Sequence, residues 1–330
     1  MTNPRITILA TGGTIAGSAR SALGRGYRAG QIGIAEMVAS ARELGLEADL
    51  SGREIAAVGS QDIGWREWQA LHRAIAEAYA DPAVDGVIVT HGTDTAEETA
   101  WLFDLTLPAG KPVVLVGAMR PADAVGSDGM RNFANAVRVA GDAAAHGRGV
   151  LVVMGDAVFA ASDVRKAATS NIDAFTGFPR GPLGLVNPAS LDWFGPAAKA
   201  GQPARFAWPE ALPRVEIIYA HADMDAAPVA SALSIGAKGL VLAGLGQGNA
   251  AAPVLDALER AARGGVPVVR ASRVDEGYVD RNVEVDDDAR SFLAARSFNP
   301  QKARVLLQLL IAGGVSDPAA MQAEELVLMR

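Results

Sequence analysis

The sequence contains no cysteine, which excludes disulfides, thiolate metal ligands and a cysteine nucleophile together. Histidine is scarce too. His72, His91, His146 and His221 are scattered without HxxxH-type spacing, so no metal site is expected. Positive charge is in deficit: 30 Lys and Arg against 37 Asp and Glu leave a formal net charge of −7. That balance argues against nucleic acid, whose phosphates demand clustered cations, and against anionic membrane surfaces. Long apolar runs are missing as well. The longest, such as 113–118 and 150–154, are of strand length and far short of a membrane span. The opening MTNPRITILATGG has no apolar h-region followed by a small-residue cleavage site. A cytoplasmic location is therefore expected, with a mature periplasmic form that has lost its leader as the alternative.

What is present is material for a large core. Hydrophobic residues make up 50% of 330, a length that suits two domains. Through roughly the first 190 residues, short apolar runs alternate with helical patterns, the βαβ signature of a parallel sheet. The candidate strands are 5–10, 54–59, 86–90, 112–117 and 149–155, rich in Val and Ile on both alternations, as strands buried on two faces require. Trp68, Leu71, Ile75 and Ala78 recur at helical spacing before an Asp81-Pro82 stop. Met130, Phe133, Ala134 and Val137 do so after Ser127, read as the N-cap. Periodicity lapses over 187–213, where Pro, Gly and Ala accumulate. A second α/β pattern follows, with strands at 215–219, 239–243 and 267–271 and helices near 228–236, 253–263 and 301–312. The expected organisation is an N-terminal α/β domain over 1–190, a linker over 191–213 and a smaller C-terminal α/β domain over 214–330.

In open α/β sheets ligands bind beyond the carboxyl ends of the strands, near a switch in strand order. The segments after the first strands are Thr11-Gly12-Gly13-Thr14, Gly59-Ser60-Gln61-Asp62, His91-Gly92-Thr93-Asp94-Thr95 and Gly117-Ala118-Met119-Arg120. Hydroxyls, an amide and carboxylates thus collect on one sheet edge. Each piece also has a plain reading. TGGT suits a tight turn, and Thr93 or Asp94 suits a helix N-cap, with Glu97 and Glu98 placed against the helix dipole. Three such elements on successive strand ends favour a site.

Residues 17–33 (GSARSALGRGYRAGQIG) carry Gly and Arg without a period, and read as a surface loop or as a lid closing over the strand ends. Tyr27 on such a lid can hydrogen-bond a nucleophilic hydroxyl and help take its proton. Lys166, in DVRKAATSN, is an ordinary solvated lysine or one desolvated toward neutrality and acting as a base. The GLGQGN turn tempts a dinucleotide reading, but it lacks GxGxxG spacing and no Walker motif occurs. The acidic run VEVDDD, which includes Glu284, reads as a solvated face.

The segments ITILATGGTIAG, VTHGTDTAEETA, KPVVLVGAMRP, RGVLVVMGD and NPQKARVLLQLLI resemble, in order along the whole chain, the bacterial-type L-asparaginases and glutaminase-asparaginases. The resemblance implies a larger N-terminal flavodoxin-like parallel-sheet domain with the active site at the strand C-terminal ends, and a smaller C-terminal α/β domain. It implies a homotetramer of intimate dimers and no cofactor. Thr14 falls at the family's primary nucleophile and Tyr27 at its lid tyrosine. Ser60 and Gln61 fall at contacts to the substrate's α-carboxylate and α-amino groups. Thr93, Lys166 and Asp94 match the second catalytic set, Asp94 also binding the α-amino group. Asn249 and Glu284 match the two residues lent across the dimer interface, which reassigns Glu284 from a solvated face to a substrate and lid contact.

The chemistry implied is attack by Thr14 on a side-chain amide, an acyl-enzyme, and release of L-aspartate and ammonia. Backbone N–H groups of Gly13 and Thr93 are the expected oxyanion donors. The alternatives are a glutaminase-asparaginase of broad specificity, or a non-catalytic amino-acid-binding or amidotransferase subunit on the same scaffold. Two departures stand out. Ala250, Ala251 and Ala252 follow Asn249, where the family often has a hydroxyl, and Arg20, Arg25 and Arg28 crowd the lid.

Overall fold

The computed structural model describes residues 3–19, 27–28, 33–43, 45–315, 317 and 320–323, without the side chains of 16, 18, 19, 27, 28 and 40. The chain divides into two compact units, Met1–Arg205 and Phe206–Arg330.

The first unit begins with β1 (Arg5–Gly12), a two-residue pairing of β2 (Ser18–Ala19) with β3 (Tyr27–Arg28), and α1 (Ile34–Glu43). The βα units that follow are β4 (Asp49–Val58) and α2 (Trp65–Ala80), β5 (Gly86–Thr90) and α3 (Ala96–Thr106), and β6 (Val113–Val116) and α4 (Gly129–Ala140). Then come β7 (Val150–Met154), β8 (Ala157–Ala160), β9 (Val164–Lys166), β10 (Phe175–Gly177), β11 (Gly184–Val186) and β12 (Leu191–Trp193). Eight strands form one sheet in the order β12-β11-β8-β7-β6-β5-β1-β4. The five strands β7-β6-β5-β1-β4 are parallel; β8, β11 and β12 add antiparallel to one side. In chain order the parallel strands run second-first-third-fourth-fifth, the flavodoxin-like arrangement, whose switch point lies between β1 and β5.

Burial explains these elements. Every residue of β5, β6 and β7 is buried, because helices cover both faces of a parallel sheet. Ile6, Ile8, Ile88, Val114, Val116, Leu151 and Val153 share one core cluster with Phe133, Ala136 and Val137 of α4 and with Met37 and Ala41 of α1. The alternate residues Val87, Val89, Val113, Leu115 and Val152 are equally buried. Helix α3 is buried over most of its surface although it carries Glu97, Glu98 and Asp104.

Some sequence expectations change. Strand β4 starts at Asp49 rather than at residue 54, because it is the sheet edge and its first half is polar and exposed; charged residues there also blunt the edge. The N-cap of α4 is Asp128, not Ser127. The Asp128 carboxylate accepts the N–H groups of Met119 and Arg120 at 3.0 and 2.9 Å. The cap of α3 is Thr95, so neither Thr93 nor Asp94 serves that purpose.

The division between units falls inside the expected 191–213 linker, whose first part is built into the first unit. Leu191–Trp193 pairs with β11, Ala109 donates its N–H to Gln202 O at 2.9 Å, and Lys199 pairs with buried Asp104. The Pro- and Gly-rich composition misled because fixed partners satisfy this backbone despite its lack of periodicity.

The second unit holds β13 (Val215–Tyr219), α5 (Ala227–Ser234), β14 (Gly239–Gly244), α6 (Ala252–Arg263), β15 (Val268–Ser272), α7 (Asp287–Arg290), β16 (Phe292–Ala294) and α8 (Pro300–Ala312). Its sheet is parallel throughout, in the order β13-β14-β15-β16. Leu240 and Leu242 join a cluster with Val254 and Leu258 of α6 and Val229 of α5. On the alternate register, Gly239 lies against Leu307 and Ile311 of α8.

Phe133 is fully buried at the centre of the first core. Phe133→Ala is expected to cost about 3–5 kcal/mol in a denaturant titration, from lost transfer energy plus a cavity.

Candidate active site

The turn after β1 is possible only with glycine. Gly12 and Gly13 have φ of 102° and 80°, values that L side chains rarely adopt. Space forbids a side chain as well. A Cβ on Gly12 would sit 2.6 Å from Val58 O, and one on Gly13 2.5 Å from Gly92 N. The turn is therefore wedged between the end of β4 and the turn after β5. A Cβ on Gly92 would in turn be 2.8 Å from Ser60 Cβ. Three strand-end turns meet at Gly92, backbone against backbone with Gly13 and against the Ser60 side chain and N–H, and the residues directly after the touching Gly13 and Gly92 are Thr14 and Thr93. Both threonines are 6% exposed. Ile15, beside Thr14, is in the core cluster and anchors the turn; Thr11 Oγ1 fastens β1 to β5 by donating to Thr90 O at 2.8 Å.

Lys166 closes the group from β9. Its ammonium donates to Thr93 Oγ1 at 2.9 Å and pairs with Asp94. The lysine side chain is 16% exposed and that of Asp94 60%, so the carboxylate still faces solvent while the ammonium is largely enclosed. Strand β9 is held in place by Asp163, which is buried and takes a two-pronged contact from Arg180 at 2.7 Å on each oxygen. Phe178 N–H also donates to Asp163 O at 3.0 Å.

Ser60 is buried and its side chain serves the neighbouring turn. Its hydroxyl accepts the Asp94 N–H at 3.2 Å, and its carbonyl accepts Thr95 Oγ1 at 2.8 Å. Gln61 is exposed and donates to Asp62 at 3.0 Å. The N–H of Gly13, an expected oxyanion donor, donates to Val58 O at 3.1 Å. The backbone of Tyr27 pairs with Ala19, but its side chain lies outside the described residues, as do Arg20, Arg25 and the Arg28 side chain.

In the second unit, Asn249 is half-buried and donates from Nδ2 to Glu284 Oε2 at 3.4 Å; Glu284 is exposed. The GLGQGN turn closes on itself, with Leu245 and Asn249 exchanging backbone bonds of 2.7 and 2.8 Å. Its amide groups are thus partly spent, unlike those of a phosphate cradle. The VEVDDD run is not a uniformly solvated face: Val285 and Asp287 are buried and Asp287 pairs with Arg270. Among the described residues, no three His, Asp or Glu side chains gather as a metal site.

Residues 5–199 match the family model "Asparaginase, N-terminal", and residues 214–323 match "Glutaminase/Asparaginase C-terminal domain". The chain belongs to the asparaginase family. It is 44% identical to the "Probable L-asparaginase periplasmic" of Haemophilus influenzae, over 97% of this chain and 91% of that relative. With "L-asparaginase 2" of Escherichia coli the identity is 42%, over 97% and 92%. With the "Glutaminase-asparaginase" of Pseudomonas fluorescens it is 39%, over 93% and 86%. A crystal structure of a "Probable Cytoplasmic L-asparaginase" from Campylobacter jejuni superposes with a TM-score of 0.92 at 38% identity, covering 98% of this chain and 99% of that one. The relatives' names span two compartments; among the described residues no helix is long and apolar enough to cross a membrane.

Sequence reasoning misses several supports of this candidate site. Asp163 and Arg180 lie 17 residues apart with no motif linking them. His91 was visible in HGTDT, yet its burial was not. It is enclosed, with Nδ1 donating to Gly92 O at 2.7 Å. That bond leaves Nε2 as an acceptor, which has no partner among the described residues. Desolvation lowers its pKa to about 4 against the opposing pull of the Gly92 carbonyl, so the ring is neutral at pH 7.

Two outcomes follow. Gly92→Ala is expected to lower activity by about 10²-fold, since its Cβ must push Ser60 and the Thr93 turn out of register; steady-state kinetics on the folded variant checks it. His91 makes stability depend on pH. The unfolded chain takes up a proton near 6.5 and the folded one only near 4, so stability is full above 6.5 and falls toward pH 4, by up to about 3 kcal/mol. Half-buried His72 is lowered by desolvation and acts in the same direction. Denaturant midpoints between pH 7 and 5 should show the slope, and His91→Gln should flatten it.

Proposed function

We propose that this asparaginase-family enzyme hydrolyses L-asparagine to L-aspartate and ammonia, with Thr14 as the nucleophile. The observation that carries the reading is the Gly13–Gly92 contact. The residues that follow the two glycines are a buried Thr14 and a buried Thr93 whose hydroxyl is bonded to Lys166, which supports the pairing of the two threonines in one site. Thr14 Oγ attacks the side-chain amide carbon, and its proton leaves with the amine as the C–N bond breaks and ammonia departs. Water then adds to the acyl-enzyme, the bond to Thr14 Oγ breaks, and the hydroxyl regains its proton.

A threonine hydroxyl needs a partner to be nucleophilic. Lys166 is engaged with Thr93, so we assign Lys166 and Thr93 to the water of the second half-reaction and Tyr27 to Thr14. With the Gly13 N–H occupied, the Thr93 N–H is the remaining proposed oxyanion donor; one such donor contributes about 2.7–4 kcal/mol in comparable sites. Asp94, with its exposed carboxylate, takes the substrate ammonium alongside Lys166. Ser60 and Gln61 take the α-carboxylate and α-amino group, Ser60 with the hydroxyl proton left over from its bond to Asp94 N–H. Activity on glutamine is the second reading, favoured by the 39% identity to a protein named glutaminase-asparaginase; kcat/KM on the two amides ranks them.

Asn249 and Glu284 act, in this proposal, on the site of a neighbouring copy within a homotetramer. Exposed apolar residues Val274, Tyr278 and Val283 lie on the same segment as Glu284, and a surface of that kind suits burial against a second chain.

Purified protein should release ammonia from L-asparagine, and Thr14→Ala should abolish that release while the oligomer's mass is unchanged. A fully active Thr14→Ala enzyme would sink the assignment. If the site is shared, mixing and reassembling inactive Thr14→Ala oligomers with impaired Glu284→Gln oligomers should raise activity above that of either alone. Failure to complement, with exchange of subunits demonstrated, removes the cross-subunit role.

A further inference from the structure

The second unit buries a complete ion pair that the proposed chemistry does not use. Arg270, within β15, and Asp287, opening α7, are both wholly inaccessible. The guanidinium places Nε and Nη2 on the two carboxylate oxygens at 2.5 and 2.7 Å. Its other N–H groups reach backbone carbonyls, Nη1 to Gln247 O at 2.8 Å and Nη2 to Asp280 O at 3.2 Å. Asp287 also accepts the Asn282 N–H at 2.9 Å, and returns its own N–H to Asn282 Oδ1 at 2.8 Å. Gly248 rests on the same group: a Cβ there would be 3.2 Å from Arg270 Nη1.

A pair of this kind is a poor device for stability alone, because desolvating both ions offsets their attraction. What it does is geometric. It ties the 244–249 turn, which ends in Asn249, to the 279–287 segment, which carries Glu284. Their side chains are 3.4 Å apart. Only a planar guanidinium has enough donors to grip a carboxylate and two separate carbonyls at once. An apolar pair would fill the space and leave the Gln247 and Asp280 carbonyls without that tie.

We propose that Arg270 and Asp287 form a positioning clamp that holds Asn249 and Glu284 at one fixed spacing to receive the substrate's α-ammonium. The clamp confers selectivity for α-amino acids over amides that lack the amine. This rests on the asparaginase reading above.

The test uses the assembled oligomer. Arg270→Lys keeps the charge and loses the fork; Arg270→Met/Asp287→Leu removes both charges together, which buried pairs tolerate in folding. The substrates are L-asparagine and succinamate, which has the same amide and carboxylate without the amine. In both variants kcat/KM for asparagine should fall about tenfold or more, while that for succinamate stays within about twofold. In a Glu284→Gln background the clamp substitutions should add no further loss, because they act through that residue. Equal losses on both substrates, or none, overturn the proposal. Amide exchange at 247–249 and 282–285 should quicken in the double variant while β14 stays protected, and unchanged exchange overturns it without any appeal to turnover. If unaltered protein releases ammonia from neither substrate, the asparaginase reading is what fails, and exchange alone judges the clamp.

Discussion

The first unit depends on one close approach, the contact of Gly13 with Gly92 at the switch point between β1 and β5. Parallel strands diverge in their connections there, which opens a crevice beyond their carboxyl ends. Two adjacent turns without side chains close that crevice to backbone contact. Each turn then presents its next residue, and both of these are threonines with little exposure. Because Gly92 also abuts Ser60, a third turn joins the contact, and the hydroxyl of Ser60 is recruited to hold Asp94 N–H. Candidate chemistry and packing are inseparable here: the same atoms that bring the groups together leave no room for variation.

Charge is used in a second way, behind the groups that would meet a substrate. Asp163 with Arg180 steadies the strand that delivers Lys166, and Asp287 with Arg270 joins the segments that carry Asn249 and Glu284. In each case the carboxylate is buried and the arginine contacts it with two nitrogens. Exposed pairs such as Arg53 with Glu77 contribute little, being solvated and screened. The buried forks instead fix direction, because a bidentate contact sets the orientation of both partners.

Much of the fold was legible in sequence for a definite physical reason. Strands covered on both faces must be apolar throughout, so β5, β6 and β7 announce themselves. The edge strand β4 has no such demand, and half of it went unread. Segment 191–205 reads as a connection because its order comes from partners at Ala109, Asp104 and Gly147, distant in the chain. The candidate site was legible as a set of residue types on strand ends, and its family resemblance covers the whole chain. Direction is what the sequence leaves open: which way the Gly13 N–H points, which residue caps α3, and where the Asp287 carboxylate goes.

By itself the sequence determined the parallel α/β pattern, the strand ends that bear hydroxyls and carboxylates, and the family to which the chain belongs. These depend on periodicity, glycine placement and local order, all of which are properties of neighbours along the chain. The tertiary structure alone decided that Lys166 meets Thr93 and Asp94 and that Gly13 spends its N–H on Val58. It alone decided that His91 is neutral and that an arginine and an aspartate vanish into the second core. Hydrogen-bond partners and desolvation are set by groups far apart in sequence, and only folding brings them within range.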